Sequence, residues 1–484
     1  MTGAAMTDRP AGAPTDPTAG SFWLQTCGDD LTPRPPLDGP TEADVAILGA
    51  GYTGLWTALY LLRREPSLRI VILEQAVAGF GASGRNGSWV VPELNISIPE
   101  LARRHGTAAA RAMTTASIEA LDEVGRAAGE EGIAIDWQKG GQLSIARGTA
   151  QLPALDEMLE VYERFGFGDR FERLDAAQLG ARLRVAGAMG GAYTPDCAAI
   201  HPGKLVRGLA RAVERRGATI HEGTAVTAFT PGVAADTSRG VAGSRPVLHT
   251  ERGDVTATTV VLAGEAWLSR LKQLHRQLIP MFSLIVLTEP LTDAQWAEIG
   301  WADRECVHSF RLTIDYLART PDGRILFGGR GAPYHFGSTI TPDFERHDPT
   351  HEMLRGMVRA WFPSLGDVRF SHAWGGPLGM ARDWMPSFSH DPATGVASAR
   401  AYLGHGVANT NLAARTLTDL ILETPSALTE LPTTNHRSPN WEPEPLRIIG
   451  VRYAQQAFAG IDAKAERTGK PPSGISLARF IGRH

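Results

Sequence analysis

Three glycines with the spacing G-x-G-x-x-G lie near the start of the chain, at Gly49, Gly51 and Gly54. Between a strand and a helix, the first permits a tight turn, the second lets the backbone approach a pyrophosphate, and the third lets the helix pack closely on the strand. Glu74 follows where a carboxylate can accept hydrogen bonds from ribose hydroxyls. The spacing therefore predicts a dinucleotide-binding site at a helix N-terminus.

The segment after Glu74 distinguishes between the two common dinucleotide cofactors. A nicotinamide-binding domain normally continues from its second strand into another crossover helix. Here residues 79–87 read GFGASGRNG, which is too rich in glycine for a helix. A loop of small residues can follow the ribityl chain and the isoalloxazine ring of a longer cofactor, so we expect FAD rather than NAD.

Buried strands and helices are predicted around these motifs. Residues 43–48 and 69–74 are near-continuous apolar runs, as in strands covered on both faces of a parallel sheet. Strand and helix patterns return at 201–220 and 401–423, whereas 277–370 carries alternating strands of a more antiparallel kind. The chain therefore alternates between two kinds of architecture.

We expect an α/β fold with two lobes, in which a Rossmann-like FAD-binding lobe is interrupted twice by an α+β substrate lobe with an antiparallel sheet. In the substrate lobe, residues 108–131 are predicted to form an amphipathic helix, and residues 140–146 a strand with one solvated face. Residues 1–40 are predicted to form a flexible leader with a short anchor at 21–24, and residues 431–484 a linker and a basic amphipathic helix. The FAD-binding lobe is predicted to consist of residues 41–103, 198–276 and 371–430. The substrate lobe is predicted to consist of residues 104–197 and 277–370.

Taken in order, several motifs resemble the D-amino-acid-oxidase-type (DAO) flavoprotein superfamily, and most nearly its gamma-glutamylputrescine oxidoreductase-like, amine-oxidising branch. The residues ASGRNG at 82–87 follow the glycine motif and its glutamate as they do in that branch. Residues 195–205 resemble its entry into a second FAD-binding segment, 319–329 its substrate-lobe signature, and 404–406 the turn that caps the flavin with a helix N-terminus. The resemblance covers about residues 22–422 and implies a flavin ring at the interface of two lobes.

The glycine motif and the resemblance together assign cofactor contacts along most of the chain. Backbone near the adenine is expected at Val226, and small residues near the pyrophosphate at 263–264. None of the three cysteines falls in a flavin motif, so FAD is expected to bind non-covalently. The expected FAD-binding residues are Gly49, Gly51, Gly54, Glu74, Gln75, Gly81, Ala82, Ser83, Arg85, Asn86, Gly87, Val226, Ala263, Gly264, Trp267, Gly404, His405, Gly406 and Val407.

Departures from the family pattern bear on the substrate. Amino-acid-oxidising relatives carry an arginine for the substrate carboxylate in the segment that matches residues 374–379, and Leu378 stands in its place. A leucine cannot form the bidentate pair that anchors a carboxylate. An amine is therefore favoured over an α-amino acid, unless Arg85 or Arg382 supplies a cation from another direction.

The chemistry that the resemblance implies is transfer of a hydride equivalent from a C–H next to nitrogen to the flavin N5. The helix that follows residues 404–406 would stabilise negative charge at the N1/C2=O edge of the flavin. His405, Tyr316 and Arg85 are the catalytic candidates, and Tyr316 and Trp374 are candidate walls of the amine site. Histidine and aromatic residues of this kind are also common structural residues.

Composition excludes several functions. Forty-eight basic and 52 acidic residues give a net charge of −4, which leaves no basic excess for nucleic acid. No apolar run approaches the ~20 residues that span a bilayer, residues 1–40 lack the pattern of a signal peptide so none is expected, and scattered cysteines suit the cytoplasm. His347 and His351 are four residues apart, but Pro349 between them predicts a turn, and no metal site is expected.

The C-terminal residues 446–484 hold seven basic residues against two acidic ones, and 446–465 has the pattern of an amphipathic helix. Such a helix is either a docking surface for a partner or membrane, or a solvated face packed on its own protein.

The sequence favours an FAD-dependent enzyme that oxidises the C–N bond of a small primary or secondary amine to an imine, which water then hydrolyses. The electrons would pass to O2 or to a carrier. A flavin dehydrogenase of a 2-hydroxy acid or polyol phosphate uses the same fold and is the main alternative. A non-catalytic flavoprotein that docks through its basic tail is a further one.

Overall fold

The computed structural model describes residues 20–235 and 242–472. The first nineteen residues of the predicted leader and residues 473–484 of the predicted tail lie outside the described residues. The helices are α1 Phe22–Gln25, α2 Tyr52–Arg64, α3 Ile98–His105, α4 Thr107–Glu130, α5 Leu152–Arg164, α6 Ala176–Arg182, α7 Pro202–Arg215, α8 Asp293–Ile299, α9 Asp348–Trp361, α10 Gly406–Ile421 and α11 Leu446–Thr468.

Two large sheets and one small one contain the strands. The strands are β1 Thr41–Leu48, β2 Ile70–Leu73, β3 Trp89–Val90, β4 Gln142–Arg147, β5 Glu172–Asp175, β6 Ala188–Thr194, β7 Ala198–Ala199, β8 Thr219–His221, β9 Val226–Thr230, β10 Val247–Thr250, β11 Val255–Leu262, β12 Ile279–Thr288, β13 Cys306–Ser309, β14 Asp315–Arg319, β15 Ile325–Arg330, β16 Phe370–Met380, β17 Ser387–Asp391 and β18 Val396–Arg400.

The first sheet has a parallel centre, in the order β18-β11-β1-β2-β8. Helices α2, α7 and α10 cover one face of this sheet, and other apolar residues cover the opposite face. Burial on both faces explains why these strands are apolar along most of their length. The connection β1-α2-β2 is the predicted strand–helix–strand unit, and the glycine motif occupies its first turn. This arrangement confirms the α/β fold class expected from the sequence.

The second sheet has the order β16-β12-β15-β14-β13-β4-β6-β5 and is antiparallel except for the pair β13–β4. Helix α9 packs on β12 and β15, so one face of this sheet is buried inside its own lobe. The opposite face packs against α1 and the loop that follows β2. The second sheet therefore presents one face to the first lobe.

Three details differ from the sequence expectations. Residues 371–380 were assigned to the FAD-binding lobe, but β16 pairs along its length with β12 of the second sheet. Helix α4 was assigned to the substrate lobe, but it buries its apolar side in the core formed by α2 and α10. The strand at 140–146 was expected to have a solvated face, but Gln142 and Ser144 are buried because both faces are covered.

A short N-terminal anchor fixes the loop after β2. Ser21 caps α1 and donates its hydroxyl proton to the carbonyl of Gly84 at 2.5 Å. The Trp23 indole N–H donates to the carbonyl of Asn86 at 2.8 Å, and the Trp23 side chain is fully buried. The segment before β1 therefore fixes the backbone of the 82–87 loop through these hydrogen bonds.

The C-terminal helix α11 packs along the second lobe through specific polar contacts. Asp462 accepts hydrogen bonds from the backbone N–H groups of Leu312 and Thr313, at 3.0 and 2.9 Å. The opposite side of the helix leaves Leu446 and Ile449 exposed. Of the described helices, none combines the length and the apolar character that crossing a membrane requires.

We expect Gly54→Ala to destabilise the first lobe, because an added Cβ would lie 2.1 Å from the carbonyl oxygen of Gly49. Overpacking of this kind lowers the free energy of unfolding by about 1–3 kcal/mol. Gly129→Ala is the control, because Gly129 is a helical glycine with open space around it. Chemical denaturation followed by circular dichroism should show a loss for the first variant and no loss for the second. Equal stability of the two would contradict this account of the turn.

Candidate functional site

A cavity of about 660 Å³ lies at the carboxyl ends of β1 and β2 and extends to the second lobe. Leu48 and Leu73, the last residues of these strands, line it, and so does Ala263, which follows β11. Ligands of open α/β sheets bind at this edge. Pro377 and Leu378 of β16 close the cavity from the second lobe, so its walls come from both lobes.

Most of the residues expected to bind the cofactor line this cavity. Gly54, Arg85, Gly87 and His405 are not among its lining residues. The expected residues that line it are Gly49, Gly51, Glu74, Gln75, Gly81, Ala82, Ser83, Asn86, Val226, Ala263, Gly264, Trp267, Gly404, Gly406 and Val407.

The glycine turn leaves little room for side chains. Gly49 has a φ of +101°, and an added Cβ would lie 2.8 Å from the carbonyl oxygen of Ala263. At Gly51, an added Cβ would lie 2.9 Å from the hydroxyl oxygen of Ser83. The Tyr52 N–H donates to the hydroxyl of Ser83 at 2.8 Å. Gly51 also caps α2 without a side chain, and Gly51, Tyr52 and Thr53 at the N-terminus of the helix line the cavity. This is the geometry that a pyrophosphate needs.

Glu74 is held at the end of β2 by backbone groups. Its carboxylate accepts hydrogen bonds from the N–H of Ala50, at 3.0 Å, and of Ala76, at 2.9 Å. Burial raises the pKa of this carboxyl group. Because each carboxylate oxygen can accept more than one hydrogen bond, Glu74 keeps acceptor capacity on the side that lines the cavity.

Arg85 makes its contacts within the protein. Its guanidinium pairs with the carboxylate of Glu345, donates to the carbonyl of Gly375 at 3.2 Å, and lies 4.3 Å from the ring centre of Phe80. Its backbone carbonyl accepts from the Trp374 indole at 2.9 Å. Trp374 is therefore part of the packing between the lobes rather than a wall of the cavity.

Glu265 is a site residue that the sequence interpretation missed. Its carboxylate accepts from the backbone N–H of Gly379 at 2.7 Å and of Tyr402 at 2.9 Å. Burial raises the pKa of this group, and its backbone φ is +47°. It ties the end of β16 to the turn before α10, so it positions two walls of the cavity. Glu265 belongs to no recognisable sequence motif, so its role becomes visible only in the folded structure.

His405 lies at the start of α10 with one ring nitrogen unpaired. Its Nδ1 is buried and has no hydrogen-bond partner among the described residues, and its Nε2 lies 3.8 Å from a carboxylate oxygen of Glu93. Burial is the main cause that lowers the pKa of His405, so its imidazole is neutral near pH 7. Glu93 was not predicted from the sequence.

Tyr316 lies on the face of the second sheet that is turned toward the first lobe. Its hydroxyl lies 3.0 Å from the hydroxyl of Ser283, and burial raises its pKa to about 12. Its ring contacts Gly87 and Gly328, where an added Cβ would clash with it. Tyr316 is therefore a neutral phenol near the wall that carries His405.

The histidines at 347 and 351 do not form the predicted turn. His347 caps α9, and His351 lies in its first turns, because Pro349 stands at a first-turn position where a helix tolerates proline. His351 is buried and its Nε2 lies 3.2 Å from the carbonyl of Trp374. Within residues 20–235 and 242–472, no cluster of histidine, cysteine and carboxylate side chains could hold a metal ion.

The chain belongs to the DAO family of FAD-dependent oxidoreductases, whose family profile matches residues 44–420. It is therefore an FAD-dependent oxidoreductase. The geometry fits the cofactor, because the cavity runs from the glycine turn and Glu74 to Leu378, and no group within residues 20–235 and 242–472 bonds to the buried Nδ1 of His405.

Three proteins illustrate the relationship. The chain is 30% identical to gamma-glutamylputrescine oxidoreductase of Escherichia coli (strain K12), over 83% of this chain and 88% of that protein. It is 29% identical, with the same coverage, to the probable oxidoreductase OrdL of Haemophilus influenzae. The crystal structure of glycine oxidase from Geobacillus kaustophilus superimposes with a TM-score of 0.65 at 21% identity, over 82% of this chain and 100% of that one. That likeness confirms the fold.

We expect the buried pair of Arg85 and Glu345 to stabilise the contact between the lobes. Removing either partner leaves an uncompensated buried charge, so Arg85→Met or Glu345→Gln should each lower the free energy of unfolding by about 3 kcal/mol. The double variant should lose less than the sum. Denaturation of all four proteins gives the coupling energy.

The matched control is the exposed pair of Arg369 and Glu289, which are 2.7 Å apart. Its coupling energy should stay below about 1 kcal/mol. A coupling of Arg85 with Glu345 that is no larger than this would show that Arg85 has another role.

Proposed function

We propose that the protein oxidises the C–N bond of a small amine with non-covalently bound FAD. The observation that carries this proposal is the neutral His405 beside Glu93, at the turn whose neighbours Gly404 and Gly406 line the cavity. The gamma-glutamylputrescine oxidoreductase among the relatives supports an amine as the donor. Leu378 in the cavity wall offers no charge to an α-carboxylate.

The residues around the cavity suit the oxidation of an amine. When bound, FAD accepts the hydride equivalent from the C–H next to nitrogen. An amine must lose its proton before that transfer, and the neutral imidazole of His405 can accept a proton while Glu93 stabilises the imidazolium that forms. The N-terminus of α10, whose residues Gly406 and Val407 line the cavity, would stabilise negative charge that develops at the cofactor.

The product leaves the enzyme as an imine. The substrate carbon loses a hydride equivalent and its nitrogen a proton, and water then converts the imine to a carbonyl compound and an amine or ammonia. Pro377, Leu378 and Leu403 give the cavity apolar walls on this side, which keep water from the reacting carbon.

The first test is the absorption spectrum of the purified protein, followed by anaerobic addition of primary amines, N-methyl amines, acylated diamines and 2-hydroxy acids. We expect a flavin spectrum that amines bleach and 2-hydroxy acids leave unchanged. Precipitation with acid should release the flavin into solution, because it is not covalently bound. Bleaching by hydroxy acids alone would overturn the proposal. Admission of O2 to the reduced protein then tells an oxidase from a dehydrogenase by the rate of reoxidation.

We expect His405→Gln to slow anaerobic flavin reduction by about 10²- to 10⁴-fold, as loss of a general base does. In the unchanged enzyme the rate should fall as pH drops through the pKa of His405, which burial places below the ordinary 6.5. Only the neutral imidazole accepts a proton, so the fall in rate caused by protonation of His405 should disappear from the pH–rate profile of the variant. The dependence of the rate on deprotonation of the substrate amine should persist. Stopped-flow reduction across pH measures both.

His390→Gln is the matched control, because burial also lowers the pKa of His390 and its Nδ1 lies 3.2 Å from the carbonyl of Leu420, away from the cavity residues. Its reduction rate and pH profile should match those of the unchanged enzyme. An unaltered acidic limb in His405→Gln would remove His405 from the proton transfer.

A further inference from the structure

Arg330, at the end of β15, is a partly buried cation whose charge is not neutralised by any described carboxylate. Its guanidinium donates one hydrogen bond of 3.3 Å, to the carbonyl of Leu403. Burial lowers its pKa to about 10, and the neighbouring group that acts on it is the neutral phenol of Tyr316. A guanidinium has five N–H donors, so most of those of Arg330 are left for a ligand or water.

The two cations considered from the sequence differ from Arg330 in this respect. Arg85 is paired with Glu345, and Arg382 donates to Glu442 at 3.1 Å. Both guanidinium groups are thus matched by a carboxylate of the protein. A substrate anion would have to displace that partner, whereas Arg330 has none to displace.

The register of the second sheet shows where Arg330 points. It pairs with Ser283 of β12, which in turn pairs with Gly376 of β16. Paired residues share a face of the sheet, and Leu378, two residues beyond Gly376, lies on that face as well. Leu378 and Leu403 both line the cofactor cavity. Arg330 therefore projects from the sheet face that is turned toward the cofactor.

The charged and polar groups near Arg330 are only partly buried. Arg330, Tyr316 and His405 each keep accessible surface, although burial shifts the pKa of all three. After burial itself, Glu93 raises the pKa of His405 and Arg330 lowers it. Glu93 and Arg330 therefore act on His405 with opposite charges.

We propose that Arg330 binds an acidic group of the substrate, so that the enzyme acts on amines that also carry a carboxylate. The inference rests on the proposed amine oxidation. A guanidinium holds a carboxylate in a fixed, bidentate geometry, and partial burial strengthens this interaction. With its carboxylate on Arg330, the substrate would direct its nitrogen toward His405, which accepts the proton.

The test uses holoenzyme and ω-amino acids of increasing chain length, each paired with its neutral carboxamide. Anaerobic bleaching of the flavin gives an apparent Kd for every compound. The unchanged enzyme should prefer the acid of at least one pair. Arg330→Gln should raise the apparent Kd of that acid by about 10- to 100-fold, as loss of a charge-assisted hydrogen bond does, and change that of the amide by less than about threefold.

Arg304→Gln is the matched control. The Arg304 guanidinium is also largely buried and donates to two backbone carbonyls, of Arg319 at 3.1 Å and of Asp136 at 3.3 Å. It should leave the preference for the acid unchanged. Arg330→Lys keeps the charge without the bidentate geometry and should fall between the unchanged enzyme and Arg330→Gln.

Equal losses for acid and amide in Arg330→Gln would overturn the anion site and assign the residue to packing or to the flavin. Unreactive carboxylates such as acetate and benzoate separate this inference from the proposed function. If they perturb the flavin spectrum through Arg330 while no amine bleaches it, the anion site stands and amine oxidation fails. If amines bleach the flavin without preference for the acid, amine oxidation stands and the anion site fails.

Discussion

The close approach of α2 to the end of β1 is the constraint on which the site depends. Glycines at 49, 51 and 54 let the helix begin directly over the strand ends and bring its N-terminus to the cavity, because an added Cβ at each would lie 2.9 Å or less from a neighbouring oxygen. A wider turn would shift the helix axis and close the space between β1, β2 and β11. The parallel centre of the first sheet and the position of the cofactor follow from this contact.

The two lobes meet through an apolar cluster that contains Trp23 and Trp374, and through specific polar contacts. Glu265 joins Gly379 to Tyr402, and the pair of Arg85 and Glu345 joins the loop after β2 to the second lobe. Such contacts have narrow geometric tolerance, since a small displacement leaves a buried charge unpaired. The relative position of Leu378, α10 and the glycine turn is thereby fixed to the accuracy that hydride transfer requires.

Local patterns predicted much of the fold and of the cofactor site, because a glycine turn, an apolar strand and a loop of small residues each act over a few neighbouring positions. The errors concern partners that are distant in the chain. The residues of β16 and their neighbours in the sequence do not indicate to which sheet the strand belongs. That is decided by its pairing with β12, which is distant in the chain. Arg85 was interpreted as free because its carboxylate partner lies far along the chain. Glu93 and Arg330 belong to no motif, and only the fold brings them toward His405.

The pairing of β1 with β11, and of β11 with β18, also governs how the chain acquires its structure. Strand β1, which precedes the glycine motif, can pair with β11 only after that later segment has been synthesised. Helix α2 likewise can pack on α10 only after the chain has been made to about residue 421. Such non-local contacts slow folding and expose unpaired strand edges on the way. A cofactor that binds only the folded cavity shifts the equilibrium between unfolded and folded protein toward the folded state by mass action. The supply of FAD during synthesis therefore affects the yield of folded protein, and not only the fraction of it that is active.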